Sequence, residues 1–328
     1  MSVWTRRAVL SAAFVVASIV AGPASAQTKL KWAHVYEVAE PYHTQAVWAA
    51  GEIKKLTNGK YDIEVFAASQ LGNENQINEG LGLGTVDIIY TGTSFAGSVY
   101  KPLAISGAPF MLRDFNHWKA YRDNKLFREL AKGYEDKTKH KVITLTYYGE
   151  RMVTANKEIK KPEDMKGMKL RVPPAPLYLM LAKSVGANAT PIAFAEVYLA
   201  LQQGTVDGQE NPLPTIMAKK FYEVQSHVML TGHITESLLT IVGGHVWSKL
   251  NDAEKKIFQD TLSKAAANAS EQIRSSEQKL ADELRKLGKT VVQVDREAFR
   301  KAAVPLHNDA SAGAGWTKAQ YDELQGLK

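Results

Sequence analysis

Apolar and polar positions along this chain repeat with two periods, and the period switches many times. Leu30-Lys-Trp-Ala-His-Val-Tyr36 alternates every second residue, as a half-buried strand does. Pro41 then opens an amphipathic stretch to Leu56, with Asn58-Gly59 as its stop, which predicts a helix. Tyr61 to Ala67 predicts a strand, Asn73 to Leu83 a helix, and Val86 to Tyr90 a buried strand. Asp114 caps a long amphipathic helix reaching about Lys137, and Lys141 to Tyr148 is a strand again. In the second half, Met152–Ala155 and Lys169–Val172 predict strands, and Leu177–Val185 and Glu196–Gln203 predict helices. Val206–Gly208 reads as a short strand and Leu238–Val246 as a longer one. Strands alternating with helices predict parallel-rich α/β layers.

Two features organise this pattern. Gly84-Thr85-Val86-Asp87 recurs as Gly204-Thr205-Val206-Asp207, each time after an amphipathic helix and at the start of a strand. The glycine suits a left-handed helix stop in both places. The repeat predicts two similarly wound lobes, joined by ordered strands because no low-complexity linker separates them. The second feature is the stretch from Asp252 to about Leu287, which lacks proline and internal glycine. Some 36 residues make a helix of ~54 Å, too long for one lobe. It is expected to pass along both.

The N-terminus has a basic start (Arg6, Arg7), an apolar stretch from Ala8 to Ala21, and Ala24-Ser25-Ala26. That is the grammar of an export signal cut after Ala26. Thr5-Arg6-Arg7-Ala8-Val9-Leu10 partly matches a twin-arginine signal, so the Sec and Tat routes both stay open. The mature chain would have 328 − 26 = 302 residues and lie in the periplasm, with no second anchor. Its net charge is 39 − 34 = +5, spread along the chain, which gives no case for nucleic acid.

Composition removes several chemistries. With no cysteine there is no disulfide scaffold, thiolate nucleophile or Cys-based metal site. The eight histidines show no metal-ligand spacing. Gly80-Leu-Gly-Leu-Gly84 precedes its strand instead of following it, so it reads as a helix end and not as a nucleotide loop. No metal and no cofactor are expected.

The chemistry concentrates between Gly149 and Pro212. Arg151 and Arg171 both sit at strand ends inside apolar sequence. A guanidinium is costly to bury unless it meets an anion, and its planar fork matches a carboxylate. The competing reading is a structural arginine paired with a nearby glutamate such as Glu150 or Glu158. Asn211, held extended by Pro212, offers an amide to a carboxylate oxygen.

These residues lie in two longer stretches. Lys161-Pro-Glu-Asp-Met-Lys-Gly-Met-Lys-Leu-Arg-Val-Pro173 and Ala193-Phe-Ala-Glu-Val-Tyr-Leu-Ala-Leu-Gln-Gln-Gly-Thr-Val-Asp-Gly-Gln-Glu-Asn-Pro212 closely resemble the solute-binding subunit of tripartite ATP-independent periplasmic (TRAP) transporters, DctP type. Ala68-Ser-Gln-Leu-Gly-Asn-Glu74 and Gly84-Thr-Val-Asp87 match its first lobe. The resemblance implies a two-lobed periplasmic binding protein-like α/β fold, a cleft between the lobes, and a long C-terminal helix spanning both. Lobe I is expected at residues 27–148 plus 237–270, and lobe II at 149–236 plus 271–328. By the same resemblance Arg171 clamps the ligand carboxylate and Arg151 is a second cleft arginine. Asn211 also holds the carboxylate, and Phe194 packs on the ligand body. Val35, Glu74 and Thr91-Gly92-Thr93 fall where the family lines its first lobe. Relatives that bind sialic acid present polar side chains where this chain has Val35, Gly92 and Leu238. A hydroxyl-rich sugar acid would leave polar groups unpaired there, at ~1–3 kcal/mol each.

The expected function is capture of an organic acid for membrane permease subunits, by a monomer that closes on its ligand. A C4-dicarboxylate, a short hydroxy or keto acid, and an apolar monocarboxylate, aromatic or branched, all remain open as ligands. Input to a membrane sensor is an alternative that sequence does not separate. An exported enzyme is disfavoured, since Glu74 and His34 lack an evident catalytic partner. An ATP-driven transporter's binding protein is disfavoured by the lobe-spanning helix.

Overall fold

The computed structural model describes residues 27–328, so the expected export signal at 1–26 lies outside the described residues. Its strands are β1 (Thr28–Ala33), β2 (Tyr61–Phe66), β3 (Ile88–Gly92), β4 (Lys141–Ala155), β5 (Lys169–Val172), β6 (Asn188–Pro191), β7 (Gly208–Pro212), β8 (His227–Met229), β9 (Thr235–Val242) and β10 (Thr290–Val292). They are ordered β2-β1-β3-β9-β4-β7-β5-β6, with β8 paired to β4 off this path and β10 paired to β8. β2, β1 and β3 run parallel, and so do β6, β5 and β7. β9 and β4 join the two triplets by antiparallel pairing. This gives the two α/β lobes and an ordered joint between them.

The recurring tetrapeptide makes the same joint in both lobes. Gly84 and Gly204 have φ of 75° and 68°, the left-handed conformation that ends a helix without Cβ strain. Thr85 N donates to Gly80 O and Thr205 N to Ala200 O, both at 2.9 Å. The Asp87 carboxylate accepts from Lys31 N at 2.7 Å, and the Asp207 carboxylate from Lys169 N at 2.8 Å. Asp87 N and Asp207 N return the bond to the same two residues' carbonyls. Each tetrapeptide thus ends a helix and locks the register of a parallel strand pair.

Sequence periodicity suggests two strands, Lys141–Tyr148 and Met152–Ala155, where the chain forms one of 15 residues. Gly149-Glu150-Arg151 breaks the alternation yet stays extended, because β4 changes partner there. Its first part pairs with β9 and its last five residues with β7. The register with β9 shifts between Tyr147 and Gly149, and Gly149 has φ 117°. The lobes meet at this bulge.

The long helix spans Asp252–Lys286, 35 residues and ~52 Å. Asn251 and Glu254 close a capping box at its start. Phe258, Leu262 and Ile273 belong to the first lobe's core and Leu284 to the second's. The small residues Ala265–Ser270 let it approach β4, where Ser270 Oγ accepts from Tyr147 N at 2.9 Å. The helix expected after Asp114 is two, Phe115–Arg122 and Lys125–Thr138, because Asn124 caps a new one by accepting from Leu126 N.

The C-terminal helix Lys318–Gly326 packs on the first lobe, which departs from the expected assignment of residues 271–328 to lobe II. Leu324 lies in the first lobe's core and its carbonyl accepts from His117 Nε2 at 2.9 Å. The apolar face of this segment finds its cover there.

Candidate functional site

The lobes enclose a cleft. Val35, Tyr36, Asn73, Glu74 and Phe95 line it from the first lobe. Arg171, Pro173, Pro174, Tyr178, Ala193, Phe194 and Asn211 line it from the second. Tyr148 and Arg151 of β4, with Leu238 of β9, form the floor where the lobes join. The cavity is ≈ 30 Å³, so the lobes stand close. Direct bonds hold them so: Leu177 N donates to Ser94 Oγ at 3.1 Å, Thr215 Oγ1 to Glu40 at 2.7 Å, and Lys219 Nζ to Glu37 at 2.8 Å.

Arg171 projects from β5 and is 1% exposed. Its Nε and Nη2 donate to the Ile192 carbonyl at 3.0 and 2.7 Å. Nη1 has no partner. Burial pushes its pKa down to about 10, against the pull of Glu210. A buried guanidinium with an unused N–H group at a cleft has the chemistry to receive an anion.

Arg151 is also buried, but its charge is taken. Its Nε and Nη2 grip both carboxylate oxygens of Glu210, and Nη2 also donates to the Glu210 carbonyl at 2.8 Å. Glu236 Oε2 lies 3.8 Å from Nη1. The rings of Tyr178 and Tyr148 flank the guanidinium at 5.1 and 5.8 Å. Burial alone would raise the Glu210 pKa; Arg151 and a bond from His233 at 3.1 Å overcome it and hold it at about 2. The local partners Glu150 and Glu158 suggested by sequence do not pair with Arg151. Glu210, on the neighbouring strand, does.

Asn211 reaches the cleft from β7. Its Nδ2 donates to Gln209 Oε1 at 2.6 Å, and its Oδ1 accepts from Tyr148 Oη and Arg151 Nη2, both at 3.3 Å. Glu74 Oε1 accepts from Gly92 N at 2.7 Å and Thr91 Oγ1 at 3.1 Å. Burial pushes the Glu74 pKa up to about 7 despite those bonds. Thr91, Gly92 and Thr93 stand behind the lining and shape it indirectly. A Cβ at Gly92 would come within 2.7 Å of the Tyr178 hydroxyl, so its absence seats that ring. The Thr93 hydroxyl is buried without a partner.

Sequence reasoning did not single out Tyr36, Tyr148, Tyr178, Glu210 or Glu236. Glu210 stands next to Asn211, inside the stretch that carries the resemblance, and was the most accessible of these. The tyrosines converge from separate segments, which no local spacing encodes. Among the described residues no group of three His, Asp or Glu side chains could hold a metal ion.

A cleft between two lobes that holds a buried arginine with an unpaired N–H is an arrangement that suits an anionic solute. The profile of DctP, bacterial extracellular solute-binding protein family 7, matches residues 32–313, and the chain belongs to that family. It is 32% identical over 295 residues to the sialic acid-binding periplasmic protein SiaP of Vibrio cholerae, covering 90% of this chain and 92% of that one. A TRAP periplasmic solute-binding protein from Bordetella bronchispeptica, with density assigned to pantoate, superposes with a TM-score of 0.86 at 32% identity. That match covers 92% of this chain and 100% of the other. A Polaromonas protein bound to D-erythronate gives 0.87 at 33%, over 92% and 99% of the two chains. The chain is therefore a TRAP solute-binding subunit, which captures an organic acid through its carboxylate and delivers it to membrane permease subunits.

Proposed function

We propose that the ligand is a small hydroxylated monocarboxylate with a compact apolar body. The observation that carries this reading is the unused Nη1 of buried Arg171. It is the cleft's one arginine not already paired with a carboxylate, because Glu210 occupies Arg151. A second carboxylate would meet Glu74 across the cavity. A ligand hydroxyl could instead donate to Glu74, whose Oε1 alone is engaged. Val35, Leu238, Phe194 and the Pro173-Pro174 pair favour an apolar middle. Pantoate, assigned in one similar structure, has this chemistry; D-erythronate, in the other, shares the small size, single carboxylate and hydroxyls without the apolar body. Sialic acid, named for the Vibrio relative, is larger and richer in hydroxyls than this lining suits.

Binding requires the lobes to part and reclose, since a cavity of ≈ 30 Å³ does not admit such a molecule. The bulge at Gly149 is the natural flexing point. The chain acts as an exported monomer that binds its ligand and hands it on.

A thermal-shift screen with pantoate, D-erythronate, succinate and sialic acid tests this. A ligand at 100 times its Kd adds about 2.7 kcal/mol to stability. Stabilisation by the two small hydroxy acids is expected. A larger shift with succinate or sialic acid overturns the assignment.

A further inference from the structure

The floor of the cleft holds more acid than base. Two arginines, Arg151 and Arg171, share this region with the half-buried Glu74 and the buried Glu210 and Glu236; Arg151 faces all three acids and Arg171 faces Glu210. With every group ionised the set carries two positive and three negative charges, a net −1. Arg151 and Glu210 neutralise each other through two hydrogen bonds. That leaves Arg171 to balance both Glu74 and Glu236. A bound carboxylate claims Arg171 and takes the set to −2, inside a site closed to water.

We propose that the protein takes up its acid as a carboxylate together with one proton from solvent, which is held by the Glu74–Glu236 pair. The inference rests on the reading that a carboxylate sits on Arg171. The ligand stays ionised, and the proton adds to a glutamate carboxylate oxygen. Both glutamates have one to offer. Glu74 Oε1 is filled by Gly92 and Thr91, leaving Oε2. Glu236 Oε1 accepts from Ser237 N at 3.0 Å, while its Oε2 is buried without a hydrogen bond.

The surroundings point the same way. Arg151 from β4, Glu210 from β7 and the Tyr178 hydroxyl face Glu236. Arg151, Glu236, Tyr36, Tyr148 and Tyr178 face Glu74. The tyrosines are pushed above their ordinary range by burial and stay neutral. The one cation close to both glutamates is already paired. Burial, working against the hydrogen bonds each accepts and the pull of Arg151, brings each glutamate up to about 7, so the empty cleft is poised and an incoming anion tips it. The charge of Glu236 itself helps raise the Glu74 carboxyl, so the proton is assigned to the pair and not to one member.

Calorimetry of pantoate and D-erythronate binding, in buffers of small and large ionisation enthalpy, counts the protons. Near pH 8 the expected uptake approaches one per ligand, and it falls toward zero near pH 5.5, where the pair is already protonated. Kd then weakens by up to about tenfold per pH unit above neutrality. The Glu74→Gln/Glu236→Gln double variant should bind with no uptake and a flat pH profile. Should it fold poorly, the proton count of the unaltered protein decides alone. Binding near pH 8 without uptake overturns this inference and leaves the functional reading intact. Undiminished uptake by the double variant overturns the assignment to these residues. Failure of every carboxylate to bind at any pH overturns the functional reading itself, and this inference with it.

Discussion

Glu210 holds Arg151 by both prongs of its guanidinium, with 2.8 Å between Nη2 and Oε1, across adjacent antiparallel strands. The two cleft arginines therefore have different duties. Arg151 is locked into the floor by carboxylates and flanking tyrosine rings. Arg171, tethered only to the Ile192 carbonyl, keeps an N–H group unpaired at the cleft.

Replacing Arg171 should therefore affect binding and not folding. Arg171→Ala leaves a desolvated ligand carboxylate without its partner, a loss of about 3–5 kcal/mol by analogy with broken buried pairs. That is roughly two to four powers of ten in Kd. Arg171→Lys should lose most of it too, since an ammonium lacks the planar fork. Isothermal titration reads both variants. A folded Arg171→Ala protein binding within about threefold of the parent would mean the anchor lies elsewhere.

Arg151→Ala should behave differently. It strands Glu210 and Glu236 as buried acids without a counter-cation, so the cost falls on the fold, at about 3–5 kcal/mol. Urea unfolding of the ligand-free protein measures it. Adding Glu210→Gln to Arg151→Ala should recover part of the loss, because one stranded charge is gone. Equal stability of the single variant and the parent would rule out this role.

This division was not legible in the sequence, although both arginines were. Strand-end position and apolar neighbours identified Arg151 and Arg171. Neither feature reveals a partner 59 residues away on another strand. The lobes and the long helix were legible because they rest on local signals: a repeated helix stop and an unbroken helical stretch. That one strand runs unbroken through the crossing at Gly149 was not, since a strand that changes partners loses its alternation there. The C-terminal helix was misplaced for a related reason. Its amphipathic face shows that it packs, not on which lobe.

The matched joints allow a paired test. Gly84→Ala and Gly204→Ala each force a side chain into a left-handed conformation, at a cost of roughly 1–2 kcal/mol. An added Cβ meets nothing within 4 Å at Gly204, and only ordinary contact with His245 at Gly84. The two costs should agree within about 0.5 kcal/mol in urea denaturation. A large difference would show that the joints are not equivalent.

Glu277 offers a test at the bulge between the lobes with a definite sign. It reaches from the long helix into the bulge of β4, accepting from Tyr147 Oη at 2.8 Å and Glu150 N at 2.6 Å. Burial raises its pKa to about 7, although both bonds favour the ionised form. The folded state thus holds this proton more tightly than the unfolded chain, whose glutamate titrates near its ordinary 4.5. The proton's contribution to stability is complete below about 4.5 and is lost as pH rises toward 7. Glu277→Gln keeps the shape and removes the titration: its amide oxygen can accept from Glu150 N, and its NH₂ can donate to the Tyr147 oxygen. The variant should match or fall below the parent near pH 5, then gain on it as pH rises to 8, by on the order of 2 kcal/mol. Chemical denaturation of both proteins at the two pH values measures the change. A stability difference independent of pH would mean that Glu277 is ionised in the folded bulge throughout.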